Sequence, residues 1–592
     1  MNEIDGVDAG SEAELRSRGV LVTKVGSHGV CVLWHDGQTY AVDDRCPHLG
    51  FPLHRGSVED GLLTCHWHHA RFDLATGGTL DPFADDVRTY PVSLRDGRVF
   101  VVAPASSDPT PALLARLDEA LEHGLTLVTA KSVLGLLESG ASVEAIVRRG
   151  VAYGTTHRRE GWGSGLTVLV ATANLLPQLD SSDAALALVH GLAFLSRDTR
   201  GHVDFFGLTP LAANGQGPNG ARLAGWYRRF IDSRTDDAAE RALVTAIAAS
   251  DGDGAAGGSA GDGGVGRAAI ERFMFAAATD HVFLDGGHTL DFTNKAFEAL
   301  DLLGWSSATS VLPTLVAQTA GASRSEERSA WRHPNDLAGI TASAAARLMG
   351  QGDLVLAGAG AGDDAVGALG WRLVEAEDPS AGVTAIVDSA EAGMTPEEIG
   401  RAIALAAGLR ITRFHVQNDH GDWDVVHHGF TYANALHQAL CRAPSMELLR
   451  GAVHGALKVF LDRFLNVPAA RLVAVDHAEL ADLGACWDQQ GQVDRAGGLV
   501  YGWLREHRDP GPVIAALGHA LLAEDAEFHW FQTIEAAARQ ARAWPDGSEP
   551  QALLLAGAAR FLAAHTPTRR ELPQVVRIAT RLRRGEDLFE EV

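Results

Sequence analysis

The chain has 592 residues, with 75 acidic against 50 basic side chains and a formal net charge of −25. The length points to more than one domain, and the charge argues against nucleic acid or an anionic membrane as a partner. No apolar run reaches the length of a membrane span, the opening MNEIDGVDAGSEAELRSRG has no signal-peptide core, and five cysteines suit a reducing compartment, so a cytoplasmic protein is expected.

Short runs rich in β-branched residues come first. Val20–Val25, Val30–Trp34, Thr39–Val42, Leu62–Cys65, Arg71–Leu74 and Val99–Val102 predict strands, and the pairs Asp36-Gly37, Asp60-Gly61 and Asp96-Gly97 predict tight hairpin turns. Among them stand Cys46-Pro-His48 and Cys65-His-Trp-His68, separated by sixteen residues. Each group offers one thiolate and one imidazole. A zinc finger instead pairs Cys with Cys and His with His at short spacing. The pattern suits a cluster with one thiolate-bound and one imidazole-bound iron. The stretch RCPHLGFPLHRGSVEDGLLTCHWHHARFDLATGG resembles the Rieske ferredoxins and the Rieske domains of ring-hydroxylating oxygenases.

That resemblance covers residues 1–105 and implies a small β domain with a [2Fe–2S] cluster on two loops at one tip. Cys46 and Cys65 would hold one iron, His48 and His68 the other. It further implies single-electron transfer, with an NAD(P)H-dependent reductase or a ferredoxin as donor. High-potential Rieske proteins add a disulfide beside the ligands and hydroxyls near the sulfurs. Here Leu49 and Gly50 follow His48, and Ala70 and Phe72 stand where those hydroxyls would fall. Fewer hydrogen bonds to sulfur predict a potential low in the Rieske range. His66 and His69 read as exposed loop residues. Cys31, Cys441 and Cys486 read as buried packing thiols.

The proline-rich Pro104–Pro111 reads as a boundary. We therefore expect a multidomain chain: a small all-β domain at 1–104, a linker at 105–111 and a large, mostly α-helical catalytic domain at 112–592. Residues 249–266 (ASDGDGAAGGSAGDGGVG) are too glycine-rich to pack and read as a mobile loop. Several His-containing helical segments, around His157, His288 and His428, resemble one another and suggest either duplicated hairpins or the bias of an Ala/Leu-rich chain.

The helical part lacks the D-x2-H-x4-H iron motif of ring-hydroxylating oxygenases. Asp424 and His427 give its first half, but Tyr432 stands where the second His would. What it has is histidine inside apolar helices. His427, Thr431, Asn434 and Gln438 fall on one helical face, as do His288, Asp291 and Lys295. Asp525 and His529 are four apart, with His519 upstream, and His190 and His454 each sit in Val-His-Gly. A lone His in such a setting is usually a hydrogen-bonded core residue. So many in one domain point to a second site, most simply a non-haem iron in a helix bundle. The candidate ligands or catalytic groups are His157, His190, His288, His427, His428, His454, Asp525 and His529.

The tail LLAEDAEFHWFQTIEAAARQ and the recurrent His segments also resemble questin oxidase-like proteins, which implies oxygen insertion beside a carbonyl of a cyclic substrate. The glycine loop Gly358, Gly360, Gly362 departs from a dinucleotide fingerprint, because Asp363 and Asp364 would face the pyrophosphate. It reads as a surface turn, leaving reduction to an external donor. The expected function is an oxygenase that passes electrons from the cluster to the His-rich site, where O2 and a small organic substrate meet. The alternative is an electron-transfer or redox-sensing protein with a helical docking domain and no second metal.

Overall fold

The computed structural model describes residues 6–104, 108–157, 161–212, 219–250, 265–284, 288–352, 355–586 and 588. A small all-β domain is followed by a large helical region. The chain folds as two compact units, one of Met1–Ser142 with Leu572–Val592, the other of Val143–Glu571.

In the first unit nine strands make three antiparallel sheets of three. Strands β1 (Val7–Ser11), β9 (Arg98–Val101) and β8 (Val92–Arg95) form one. Strands β2 (Val20–Val25), β3 (His28–His35) and β4 (Gln38–Asp43) form the second, and β5 (Ser57–Glu59), β6 (Leu62–Thr64) and β7 (Arg71–Asp73) the third. The aspartate–glycine pairs turn the hairpins as expected. Both residues have positive φ at Asp36-Gly37 (47° and 79°), and likewise at Asp60-Gly61 and Asp96-Gly97. That twist matches the flanking strands. Alternation puts Leu21, Val25, Val30, Val32 and Ala41 into a core with Val99 and Val101. A second core of Leu53, Leu63, Phe72 and Leu74 includes Cys46 and Cys65.

Strands β1, β5 and β8 were not expected from sequence. The first pairs only at a sheet edge with a bulge between Asp8 and Gly10, and the others run for three and four residues, so none offers a period to read. Helix α1 (Glu12–Arg18), capped by Ser11, follows β1. After β9, helices α2 (Thr110–His123) and α3 (Thr126–Glu138) belong to the same compact unit. The proline-rich segment thus separates strands from helices inside that unit.

The second unit is helical. Its Pro396–Thr412 helix starts with a capping box, Thr395 with Glu398, and is buried on nearly all sides from Ile399 onward, as an all-round apolar helix must be. Gly400 lets the Asp422–Arg442 helix come close: a Cβ there would lie 2.9 Å from His437 Cα. The loop at Gly358–Gly362 has no strand before it among the described residues, and the Glu398 carboxylate accepts hydrogen bonds from the N–H groups of Ala361 and Gly362. A carboxylate already fills the place a phosphate would take. Residues 251–264 of the glycine-rich segment lie outside the described residues. Cys31 and Cys486 are buried, but Cys441 is exposed, because it lies on the last turn of its helix beside exposed Glu397. Among the described residues no helix is long and apolar enough to cross a membrane.

Candidate metal centres

Two loops of the β unit are built alike. The Cys46 N–H donates to the Phe51 carbonyl and the Cys46 carbonyl accepts from Gly50 N–H, both at 2.8 Å. In the second loop Cys65 N–H donates to the Ala70 carbonyl (2.8 Å) and its carbonyl accepts from His69 N–H (3.0 Å). The fifth residue of each loop is left-handed, Gly50 at φ 88° and His69 at φ 60°. His69 is therefore a turn-forming residue whose ring points outward, and His66 is exposed beside it.

This pairing brings two thiols and two imidazoles together. The Cys46 and Cys65 side chains lie within hydrogen-bonding reach of each other. Contact with Cys65, then burial, pushes the Cys46 thiol up. The same contact, helped by the N–H groups of Trp67 and His68, draws Cys65 down to about 6. The His48 and His68 rings stand edge to face, 5.0 Å between centroids. Burial, Lys131 and His68 lower His48 to about 4, so the ring stays neutral, as a ligand must. Its Nδ1 is buried without a hydrogen-bond partner. Two half-shared thiols and an uncommitted ring nitrogen fit a [2Fe–2S] cluster with mixed ligation.

The second assembly lies in the helical unit. His288 begins the His288–Leu303 helix, His427 and His428 lie on the Asp422–Arg442 helix, and His529 is the second residue of the Phe528–Arg542 helix. Their rings pack together: His427 to His529 at 4.1 Å, His428 to His529 at 4.6 Å and His288 to His428 at 5.1 Å between centroids. Ligating atoms of His288, His428 and His529 lie within 4.8 Å of one another, and so do those of Asp424, His427 and His529.

Hydrogen bonds settle which ring nitrogens are available. His427 Nδ1 donates to the Trp423 carbonyl at 3.1 Å, and His428 Nδ1 donates to the Asp424 carbonyl. A carbonyl can only accept, so the proton is on Nδ1 and Nε2 carries a lone pair. His288 Nδ1 donates to Asp291 Oδ2 at 3.1 Å. Nε2 of His427 and of His529 is buried without a partner. Burial, His428 and His529 push His427 well down; burial, His428 and His288 lower His529 to about 3. Burial opposes protonation of His288 too, but Asp291 outweighs it and raises that ring.

Below the rings the helices match polar stripes. Gln532 donates to Asp291 Oδ2 at 3.0 Å. Lys295 bridges Glu298 (2.7 Å) and Glu535 (3.0 Å), and Arg539 reaches Glu298 (3.2 Å) and Gln438 (3.1 Å). Burial works against the Lys295 ammonium, but the two glutamates hold it above its usual range. Asp291 Oδ1, Asn294 Oδ1 and Gln532 Oε1 are buried without a partner. The stripes of His288, Asp291, Lys295 and of His427, Thr431, Asn434, Gln438 thus face a third, Gln532, Glu535 and Arg539. Its i, i+3, i+7 spacing in FHWFQTIEAAARQ was there to be read.

The other candidates lie apart. Asp525 precedes its helix, which starts at Phe528, so it does not share a face with His529. Its carboxylate instead accepts the Glu571 N–H at 2.8 Å. His190 donates from Nε2 to the Leu522 carbonyl at 2.9 Å, and burial lowers it to about 4. His454 is buried in the Met446–Leu461 helix, lowered to about 3 by burial and Arg450. His157 pairs with Asp204 at 3.1 Å and lines a 370 Å³ pocket with Trp162, Asp198 and His202. His519 pairs with Asp183.

A family profile described as Rieske [2Fe-2S] domain matches residues 6–91. The 3-phenylpropionate/cinnamic acid dioxygenase ferredoxin subunit of Photorhabdus laumondii is 38% identical over 74 residues, 12% of this chain and 70% of its own length. The ferredoxin component of the alkene monooxygenase system of Xanthobacter autotrophicus is 31% identical over 101 residues, 17% of this chain and 83% of its own. The 4beta-methylsterol monooxygenase of Methylococcus capsulatus is 39% identical over 88 residues, 13% of this chain and 24% of its own.

Proposed function

The chain belongs, through its N-terminal domain, to the Rieske [2Fe–2S] family, and from that premise we propose that it is a two-part oxygenase. The β unit relays single electrons, and the helical unit uses them at an iron held by His288, His428 and His529. The observation that carries this reading is the convergence of those three ligating atoms within 4.8 Å, with His427 packed against them. A bound [2Fe–2S] cluster supplies reversible one-electron transfer. Imidazole nitrogens suit iron, zinc or copper. Zinc has no redox chemistry and would leave electrons from the cluster without an acceptor.

The residues around the rings have separate tasks in this reading. Asp291 fixes the tautomer and orientation of His288, and Gln532 fixes Asp291. The Trp423 and Asp424 carbonyls do the same for His427 and His428. The Lys295, Glu298, Glu535 and Arg539 network holds the floor rigid with its charges paired. His288, His428 and His529 remain half-buried, which leaves a side open to substrate. The likeness of this region to questin oxidase-like proteins makes a cyclic ketone of the aromatic polyketide type the first substrate to offer. Because Glu398 fills the glycine loop, an NAD(P)H-dependent reductase or a ferredoxin is the proposed electron source.

Iron and acid-labile sulfide per chain test this in anaerobically prepared protein. Three irons with two sulfides are expected. His428→Ala should lower the count to two, abolish turnover and leave the cluster's visible spectrum unchanged. Two irons in the unsubstituted protein would overturn the reading. The ferredoxin kinship of the β domain would then favour the second reading, an electron carrier or redox sensor with a helical docking unit.

A further inference from the structure

Lys131 lies on α3, forty residues beyond the span that the family profile matches. Its neighbours Val128, Val133 and Leu136 are buried, and Lys131 itself is only 7% exposed. A buried ammonium is costly unless its donors are met. This one meets three oxygens. Nζ donates to the carbonyl of Pro47 at 2.5 Å, to the carbonyl of His48 at 2.9 Å and to Asp85 Oδ2 at 3.2 Å. Two of the three belong to the loop that carries Cys46 and His48.

The surroundings hold the charge in place. Asp85 is shared with Arg116 on α2, whose Nε donates to Asp85 Oδ1 at 3.0 Å. Arg116 also donates to the carbonyls of Pro82 and Ala84. These flank Phe83, whose ring packs edge-on to His48 at 5.0 Å. One carboxylate therefore stands between two cations, and the cation nearer the Cys46 loop is the lysine. Its Nζ lies against the backbone carbonyls of Pro47 and His48, between and beside one candidate ligand to each iron.

We propose that Lys131 is a positioning residue of the [2Fe–2S] centre: it pins the Cys46–Gly50 loop, and its fixed positive charge raises the reduction potential. Reduction adds one negative charge to the cluster, and a nearby cation stabilises that state over the oxidised one. Ala70 and Phe72 offer no hydroxyl to the sulfurs, which by itself would leave the cluster low in the Rieske range. The helical extension supplies an opposing device from outside the β domain.

The test is the midpoint potential of the full chain with its cluster, by spectroelectrochemistry, with electron paramagnetic resonance of the reduced state. Lys131→Met should lower the midpoint, shifting the equilibrium toward the oxidised cluster about tenfold, or about 59 mV for one electron. Lys131→Arg should retain most of the wild-type value. Asp85→Asn should move the midpoint upward, because it removes the negative charge that opposes the lysine. Opposite shifts in Lys131→Met and Asp85→Asn, with little change in g values, support the proposal. Shifts in the same direction, or none in either variant, overturn it. Should Lys131→Met fail to hold its cluster, an Asp85→Asn midpoint that does not rise overturns it alone.

Discussion

The two candidate centres are assembled in opposite ways. In the β unit all four donors come from two loops separated by sixteen residues, each loop closed by its own backbone hydrogen bonds. In the helical unit the donors come from three helices that begin at His288, Asp422 and Phe528. The first arrangement is local: the bonds that close each loop lie within it. The second exists only while distant helices are packed in register. Local sites announce themselves in sequence, and dispersed sites do so only through the stripes that support them.

The largest expected effect separates the two centres outright. Cys46→Ser should abolish the cluster's visible absorption and its resonance signal while far-UV circular dichroism keeps its helical intensity. A matching loss of helical signal would mean that the units do not fold independently. Next comes the floor of the helical site. Lys295→Met leaves Glu298 and Glu535 short of their shared cation in a buried setting, and should destabilise that unit by about 3–5 kcal/mol. Chemical denaturation followed by helical signal measures it, and a change under about 1 kcal/mol would show that Arg539 suffices.

Asp291→Asn sharpens the contrast more finely. It keeps the shape beside His288 but removes the carboxylate that orients the ring. Metal affinity at the helical site should fall about 10–100-fold while the cluster stays unaffected. Competition with a chelator, followed by metal analysis, reads this out. The last effect is read by pH rather than by substitution, in acid stability. Burial depresses His190 to about 4, His437 to about 4 and His454 to about 3, from an ordinary 6.5. These rings fold neutral and take up protons on unfolding, so their contribution is complete above about 6.5 and is lost as pH falls toward 4. The melting temperature should be lower at pH 5 than at pH 7.5, and an unchanged value would show that these rings have room to protonate in place.

The same contrast explains what could be read in advance. The hairpins around Asp36-Gly37 and Asp60-Gly61 and the Cys-His loop that follows each of them come from short-range chemistry, so strands and donors stood out. The polar faces of His288 and His427 were visible as helical periods, but nothing in one sequence says which faces meet. Asp525 misled because spacing of four means a shared face only inside a helix, and the helix begins at Phe528. Gln532, Glu535 and Arg539 carried a readable spacing that the apolar residues between them obscured. Lys131 carried none, since two of its three partners are backbone carbonyls of a loop more than eighty residues away.

Arg45, the residue before Cys46, donates to the carbonyls of Leu582 and Glu586. The partners of the second bond stand 541 positions apart. During synthesis on the ribosome, residues 6–101 emerge before the helical unit, whereas these two carbonyls emerge after it. The first unit is therefore begun before the second is made and closed after it. Iron and sulfide delivered between those moments would meet the cluster loops without these contacts beside Cys46, whereas later delivery would meet them in place.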